Sequence, residues 1–167
     1  VTMPLKLRIF NATIRSVSLY DCETWSVRKS DQVRLEVFER QCQRRITGLP
    51  LSRQLSNKNL AILVNQKMSV AQTITARRWT YIGHVLRMKD IRIQKQALYA
   101  TPAPDWKRPK GGVNLTLMRQ TCKEAEQFIM KPYGLSRRQY NSDWLLHLAD
   151  LASDRHQFRH IVGAASD

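Results

Sequence analysis

Apolar residues recur along most of the chain at steps of three and four, the spacing of one helical face. Leu7, Phe10, Ile14, Val17 and Tyr20 keep this rhythm and predict an amphipathic helix over residues 5–20. Asp21-Cys22-Glu23-Thr24 interrupts it before Trp25. Ser30 is a suitable N-cap for the next helix, whose inward stripe reads Leu35, Phe38, Cys42, Ile46 and Leu49, with Arg34, Arg40, Arg44 and Arg45 mainly off it. Gly48 and Pro50 mark its end. Ser56 or Asn57 caps a short helix carrying Leu60, Leu63 and Val64. Ser69 caps a longer one over 70–88, with Val70, Ile74, Tyr81, Val85 and Met88 inward, Ile82 and Leu86 beside them, and Arg77, Arg78 and Arg87 outward. Residues 93–99 form a short element of ambiguous type.

Three prolines and two glycines between Thr101 and Gly112 forbid a regular helix there and predict a basic loop. Beyond it, Leu117, Thr121, Cys122, Ala125, Phe128 and Ile129 predict a helix over 115–130, stopped by Pro132 and Gly134. Ser136 with Gln139 fits a capping box. Trp144, Leu145, Leu148, Leu151 and Ala152 continue helically, and Asp154 caps a last helix with Phe158, Ile161 and Val162. Strand alternation is nearly absent and no internal repeat is found. The expected fold is all-α, an irregular helical bundle with a Pro/Gly-rich basic loop near 101–112.

Composition narrows the class. With 167 residues and 43% apolar content, the chain is long enough for one packed domain, with or without a small appendage. Six glycines and six prolines exclude collagen-like classes. No uncharged 18-residue stretch predicts a transmembrane helix, and the N-terminus lacks a signal-peptide core, so no membrane partner is expected. The first residue is Val1, which suggests a piece of a longer product. Three cysteines at wide spacing, with no C-x-x-C, suit a reducing compartment, and the expected location is intracellular, nucleus or cytoplasm.

Charge changes the picture most. There are 28 Lys+Arg against 13 Asp+Glu, a net charge of +15. Residues 53–99 hold the largest share, net +8. Such an excess repels itself, and a polyanionic partner is the common reason to keep it. Arg44-Arg45, Arg77-Arg78 and Lys107-Arg108 with Lys110 are clustered, and aromatics flank two of these groups: Trp79 with Tyr81, and Trp106. Guanidinium pairs phosphate bidentately, and an indole face stacks on a base. Trp79 suits either the core or a partner, as does Trp106.

Catalytic chemistry finds little support. No two aspartates are adjacent, whereas a metal-dependent polymerase or nuclease needs clustered carboxylates. Asp150 with Asp154 share a helix face but read better as caps and solvated charge near Arg155 and Arg159. His156 and His160 are spaced to share a metal, with no third ligand nearby in sequence except Asp154 or His147, and no metal site is expected. No P-loop or nucleophile elbow occurs, and His84 reads best as a packed or backbone-bonded histidine. No catalytic residue, metal or cofactor is assigned.

Leu19-Tyr20-Asp21-Cys22-Glu23-Thr24-Trp25 resembles the Leu-Tyr-Gly-Cys-Glu-Thr-Trp block that follows the polymerase palm in non-LTR (LINE-like) retrotransposon reverse transcriptases, notably the RTE-like clade. Upstream, Lys6-Leu7-Arg8-Ile9-Phe10-Asn11 is similar to that family's preceding segment, and residues 35–46 to its next helix. Arg77-Arg78-Trp79-Thr80-Tyr81-Ile82-Gly83-His84-Val85-Leu86-Arg87-Met88 resembles its Gly-His-Val-x-Arg-Met block. Gln96-Ala97-Leu98-Tyr99, Asp154-Arg155 and Phe158-Arg159 resemble its closing blocks. The match spans most of the chain in order. Departures include Asp21 for the usual Gly, Gly111-Gly112-Val113 for Gly-Arg-Pro, and Leu117 and Phe158 for Trp.

The resemblance implies a thumb-like helical domain over 1–100, the basic loop 101–112 and a C-terminal helical extension over 113–167. It implies a non-catalytic region of an RNA-directed DNA polymerase with endonuclease, lacking the Tyr-x-Asp-Asp pair, with the palm as its neighbour in the parent protein. The expected partner is nucleic acid, as template–primer duplex or RNA. The expected contacts are Lys6, Arg8 and Arg15 on the first helix, then Arg44, Arg45, Arg77, Arg78, Arg87, Trp106, Lys107, Arg108 and Lys110. The alternative is a domesticated or structural interaction protein whose basic surface meets an acidic protein.

Overall fold

The computed structural model describes residues 1–48, 55–100, 103–105, 107, 110–111, 116–126 and 144–164. The regular elements among them are all helices, with no strand, so the fold is all-α. The chain groups into two compact units, Val1–Thr75 and Ala76–Asp167. The division falls inside a helix, not at the basic loop. The net charge is +7 in the first unit and +8 in the second.

In the first unit, α1 spans Met3–Phe10, with Pro4 in the first turn, where its missing N–H costs nothing. An i→i+5 turn over Asn11–Arg15 follows, and α2, Ser16–Ser18, prolongs the rod. That turn explains a departure from the predicted stripe. A π-turn adds one residue to the helix and shifts the inward face by one position. Phe10 is buried, but Ile14, Val17 and Tyr20 are exposed, and Arg15, Leu19 and Cys22 take the inward places. The rod ends at Asp21 in the left-handed region (φ 55), where glycine is unstrained and Asp is tolerated. The Thr24 hydroxyl bridges the Asp21 carbonyl (2.9 Å) and carboxylate (3.1 Å).

Helix α3 runs Lys29–Thr47 and closes on Gly48 at φ 67. Its inward side differs from prediction. Glu39 and Gln43 are buried, Leu35, Cys42 and Ile46 are half-buried, and Phe38 is exposed. Leu49 and Pro50 lie outside the described residues. Helix α4, Asn57–Leu63, starts at the predicted Ser56 cap, whose Oγ accepts from the Asn59 N–H at 3.2 Å. Helix α5, Val70–Leu86, starts at Ser69 with a reciprocal cap: the Gln72 N–H donates to Ser69 Oγ (3.2 Å), and the Ser69 N–H donates to Gln72 Oε1 (2.8 Å). Leu19, Cys22, Val70 and Ile74 form the apolar core, with Trp25, Val27 and Leu35 against it.

The second unit begins within α5 and continues through α6 (Ile93–Tyr99), α7 (Leu117–Ala125), α8 (Trp144–Ser153) and α9 (Arg155–Ala164). Thr116 caps α7 and Asp154 caps α9, the latter accepting from the His156 (2.8 Å) and Gln157 (3.1 Å) N–H groups. Those two amides, Gln157's first, hold the Asp154 carboxyl below its ordinary value. The core is Trp79, Ile82, Leu86, Ala125, Leu148, Ala152 and Phe158, so Trp79 is a core residue. Gly83 lies where the Phe158 ring meets the α5 backbone. The predicted stop at Pro132 and Gly134 and the Ser136–Gln139 box lie outside the described residues, as does the predicted continuation of α7 beyond residue 126.

Candidate nucleic-acid interface

The expected phosphate contacts divide into exposed and inward groups. Lys6 and Arg8 are exposed on α1, Arg45 on α3, Arg77 on α5, and Lys107 and Lys110 in the loop region. Lys6 and Arg8 are two residues apart and so project about 200° apart around the helix, not onto one surface. Arg44 is half-buried and donates from Nη2 to the Leu55 carbonyl (2.8 Å) and Asn57 Oδ1 (3.3 Å), which ties α3 to the start of α4. Trp106 and Arg108 lie outside the described residues. His84 is exposed, not packed.

Two arginines depart from the outward expectation. Arg15 is turned inward by the π-turn. Its Nε lies 2.9 Å from Glu39 Oε1, in a close ion pair without an aligned N–H, and its Nη2 donates to the Met68 carbonyl (2.9 Å) and Thr73 Oγ1 (3.0 Å). Arg78 is fully buried, and its Nη1 pairs with Glu124 of α7. Glu124 also accepts from Trp79 Nε1 (3.1 Å) and Gln120 Nε2 (3.1 Å). The Arg77-Arg78 pair is therefore split, because adjacent helical residues differ by about 100° and α5 is buried on the Arg78 side. A buried guanidinium bound to a carboxylate is structural and reaches no phosphate.

Around Arg15 the first unit holds a polar interior. Gln66 Nε2 donates to Glu39 Oε2 (2.9 Å) and the Met68 carbonyl (3.0 Å), and Gln43 Nε2 donates to Gln66 Oε1 (2.9 Å). Open cavities of about 330 and 290 Å³ border this network, and both are lined by Glu39, Gln43 and Gln66. Burial, opposed by Arg15 and the Gln66 hydrogen bond, raises the Glu39 carboxyl above its usual 4.5. The sign follows. Between 4.5 and the raised value the folded chain binds more protons than the unfolded chain, so stability falls as pH rises through that window. Denaturant midpoints measured across it should decline with pH, and Glu39→Gln should remove that slope. An unchanged slope in the variant places the titration elsewhere.

A third group was not gathered by sequence reading. Arg87 donates from Nη1 to the carbonyl of Ala152 at 3.0 Å, near the end of α8. Arg155 opens α9 three residues later, and Arg159 follows one turn on; both are exposed. Burial, then the charges of Arg155 and Arg159, hold the Arg87 pKa below the ordinary arginine value. Neither α9 arginine forms an ion pair among the described residues. The i, i+4 spacing is visible in the sequence, where the two arginines stand only as neighbours of Asp150 and Asp154. In the fold Asp154 caps α9 through backbone amides, as its position predicts.

His156 and His160 stand with ring centroids 5.1 Å apart. Among the described residues no group of three His, Cys, Asp or Glu is placed to hold a metal ion, and no helix is long and apolar enough to cross a membrane. Comparison with protein-family models, with curated proteins and with solved structures yields no match to this chain.

Proposed function

We propose that this chain is the non-catalytic, post-palm part of a non-LTR retrotransposon reverse transcriptase, and that it holds template–primer or element RNA through phosphate contacts. One observation carries the reading: the charge excess stays on the outside of the folded chain. Glu39 and Glu124 are committed to Arg15 and Arg78. They are therefore not available to neutralise the exposed Lys6, Arg8, Arg45, Arg87, Lys107 and Lys110. Each unit keeps its own surplus. An all-α scaffold with such a surface suits sequence-independent binding of a sugar–phosphate strand.

The test is a salt titration of binding to a mixed-sequence duplex and to single-stranded RNA. About six to eight phosphate contacts give a log–log slope of roughly −4 to −7, shallower for single strands. A flat titration excludes the proposal. Displacement by an acidic polypeptide at lower concentration than by oligonucleotide replaces it with an acidic protein partner.

A further inference from the structure

We propose that Arg87, Arg155 and Arg159 form a phosphodiester-binding site on the second unit. The inference rests on the nucleic-acid reading above and assigns it a place. Three features build the site. Arg87 is fixed, because its Nη1 is spent on the Ala152 carbonyl, and this holds the guanidinium at the α8–α9 turn. A fixed guanidinium loses less side-chain freedom on binding than a solvated one. Arg155 and Arg159 lie i, i+4 on α9, separated by about 6 Å along the axis, and both are exposed although they flank buried Phe158. Gly163 continues the same row, is exposed, and a Cβ there would meet nothing within 4 Å among the described residues, so the row runs into open surface there.

The chemistry of the ligand follows from charge and shape. Three guanidiniums brought together repel one another unless an anion sits among them, and planar forks match phosphate oxygens. The acid nearest in sequence, Asp154, directs Oδ1 at the His156 and Gln157 amides and stays on the capping side of the turn. A row of cations that ends in open surface suits a chain of phosphates better than a single small anion. Like-charge proximity within the cluster is also felt by Arg87 itself.

The experiment uses the full chain and a mixed-sequence 20-mer duplex, read by fluorescence anisotropy across a salt series. Arg155→Gln with Arg159→Gln should weaken binding roughly tenfold or more near ~0.1 M salt and lower the magnitude of the slope by about 2. Gly163→Arg extends the row and should strengthen binding and raise the slope magnitude by about 1. This gain cannot arise from a folding defect. If the parent chain binds and both variants bind like it, the site is refuted while the nucleic-acid reading stands. If the parent chain itself fails to bind any duplex or RNA, the reading and the site fall together.

Discussion

Glu124→Ala is expected to destabilise the second unit by about 3–5 kcal/mol, among the largest effects of any single substitution in this chain. The reason is the partner left behind. Arg78 has no exposed surface and cannot lose its proton, so removal of Glu124 takes away the carboxylate that its Nη1 pairs with in the interior. The Trp79 N–H loses its acceptor in the same step. Arg78→Met combined with Glu124→Gln should cost far less, because no charge remains and the glutamine oxygen still accepts from Trp79. Chemical denaturation of the full chain, with hydrogen exchange followed in α5 and α7, measures both. A loss below about 1 kcal/mol for Glu124→Ala would mean that water reaches Arg78 in solution. The same geometry sets how charge reversal of the Arg77-Arg78 pair must be interpreted. Arg77→Glu tests the surface, whereas Arg78→Glu breaks the interior.

The contact between Gly83 and Phe158 gives the second large effect. Phe158→Ala removes a buried ring from the core and should cost about 3–5 kcal/mol. Gly83→Ala attacks the same contact from the other side. A Cβ on Gly83 would fall against three atoms of the Phe158 ring, too close for van der Waals contact, and Gly83 itself is buried in α5. Overpacking of this kind costs about 1–3 kcal/mol, against the roughly 1 kcal/mol by which alanine ordinarily favours a helix. The two changes should be strongly non-additive, since a shorter side chain at 158 makes room for the methyl. Thermal unfolding of Gly83→Ala, Phe158→Ala and the double variant checks this. If the single effects simply add, the ring and the glycine are not in contact in solution. The glycine of the Gly83-His84-Val85 block therefore has a packing reason that needs no ligand.

Most helix starts that rest on local chemistry were legible, but not that of α3, which starts at Lys29 after Arg28 with no side-chain cap, so that the predicted cap Ser30 lies inside the helix. Ser56, Ser69 and Asp154 cap the helices that their side chains predict, and Gly48 ends α3 in the left-handed conformation that favours glycine. Each of these is decided within four residues. The inward faces of α1 and α3 were not legible. One π-turn at Asn11–Arg15 rotated the remainder of the rod, and a regular 3.6 period cannot announce an extra residue. On α3, Glu39 and Gln43 are buried because Arg15 and Gln66 reach them from segments 24 and 23 residues away in sequence. Nothing in the local pattern marks a polar residue whose partner is that distant.

The candidate interface divides along the same line. The amount of positive charge, its helical carrier and the chain's all-α class were written in composition and period, since these depend on residue type and near-neighbour spacing alone. Which arginine faces outward was not. Arg77 and Arg78 are identical in chemistry and adjacent in sequence, yet Arg78 meets Glu124 46 residues later and is buried. Arg87 joins Arg155 and Arg159 only because α5 packs beside the α8–α9 turn. Whether a guanidinium serves the core or the surface is set by which long-range carboxylate or carbonyl arrives beside it. Tertiary packing supplies that partner.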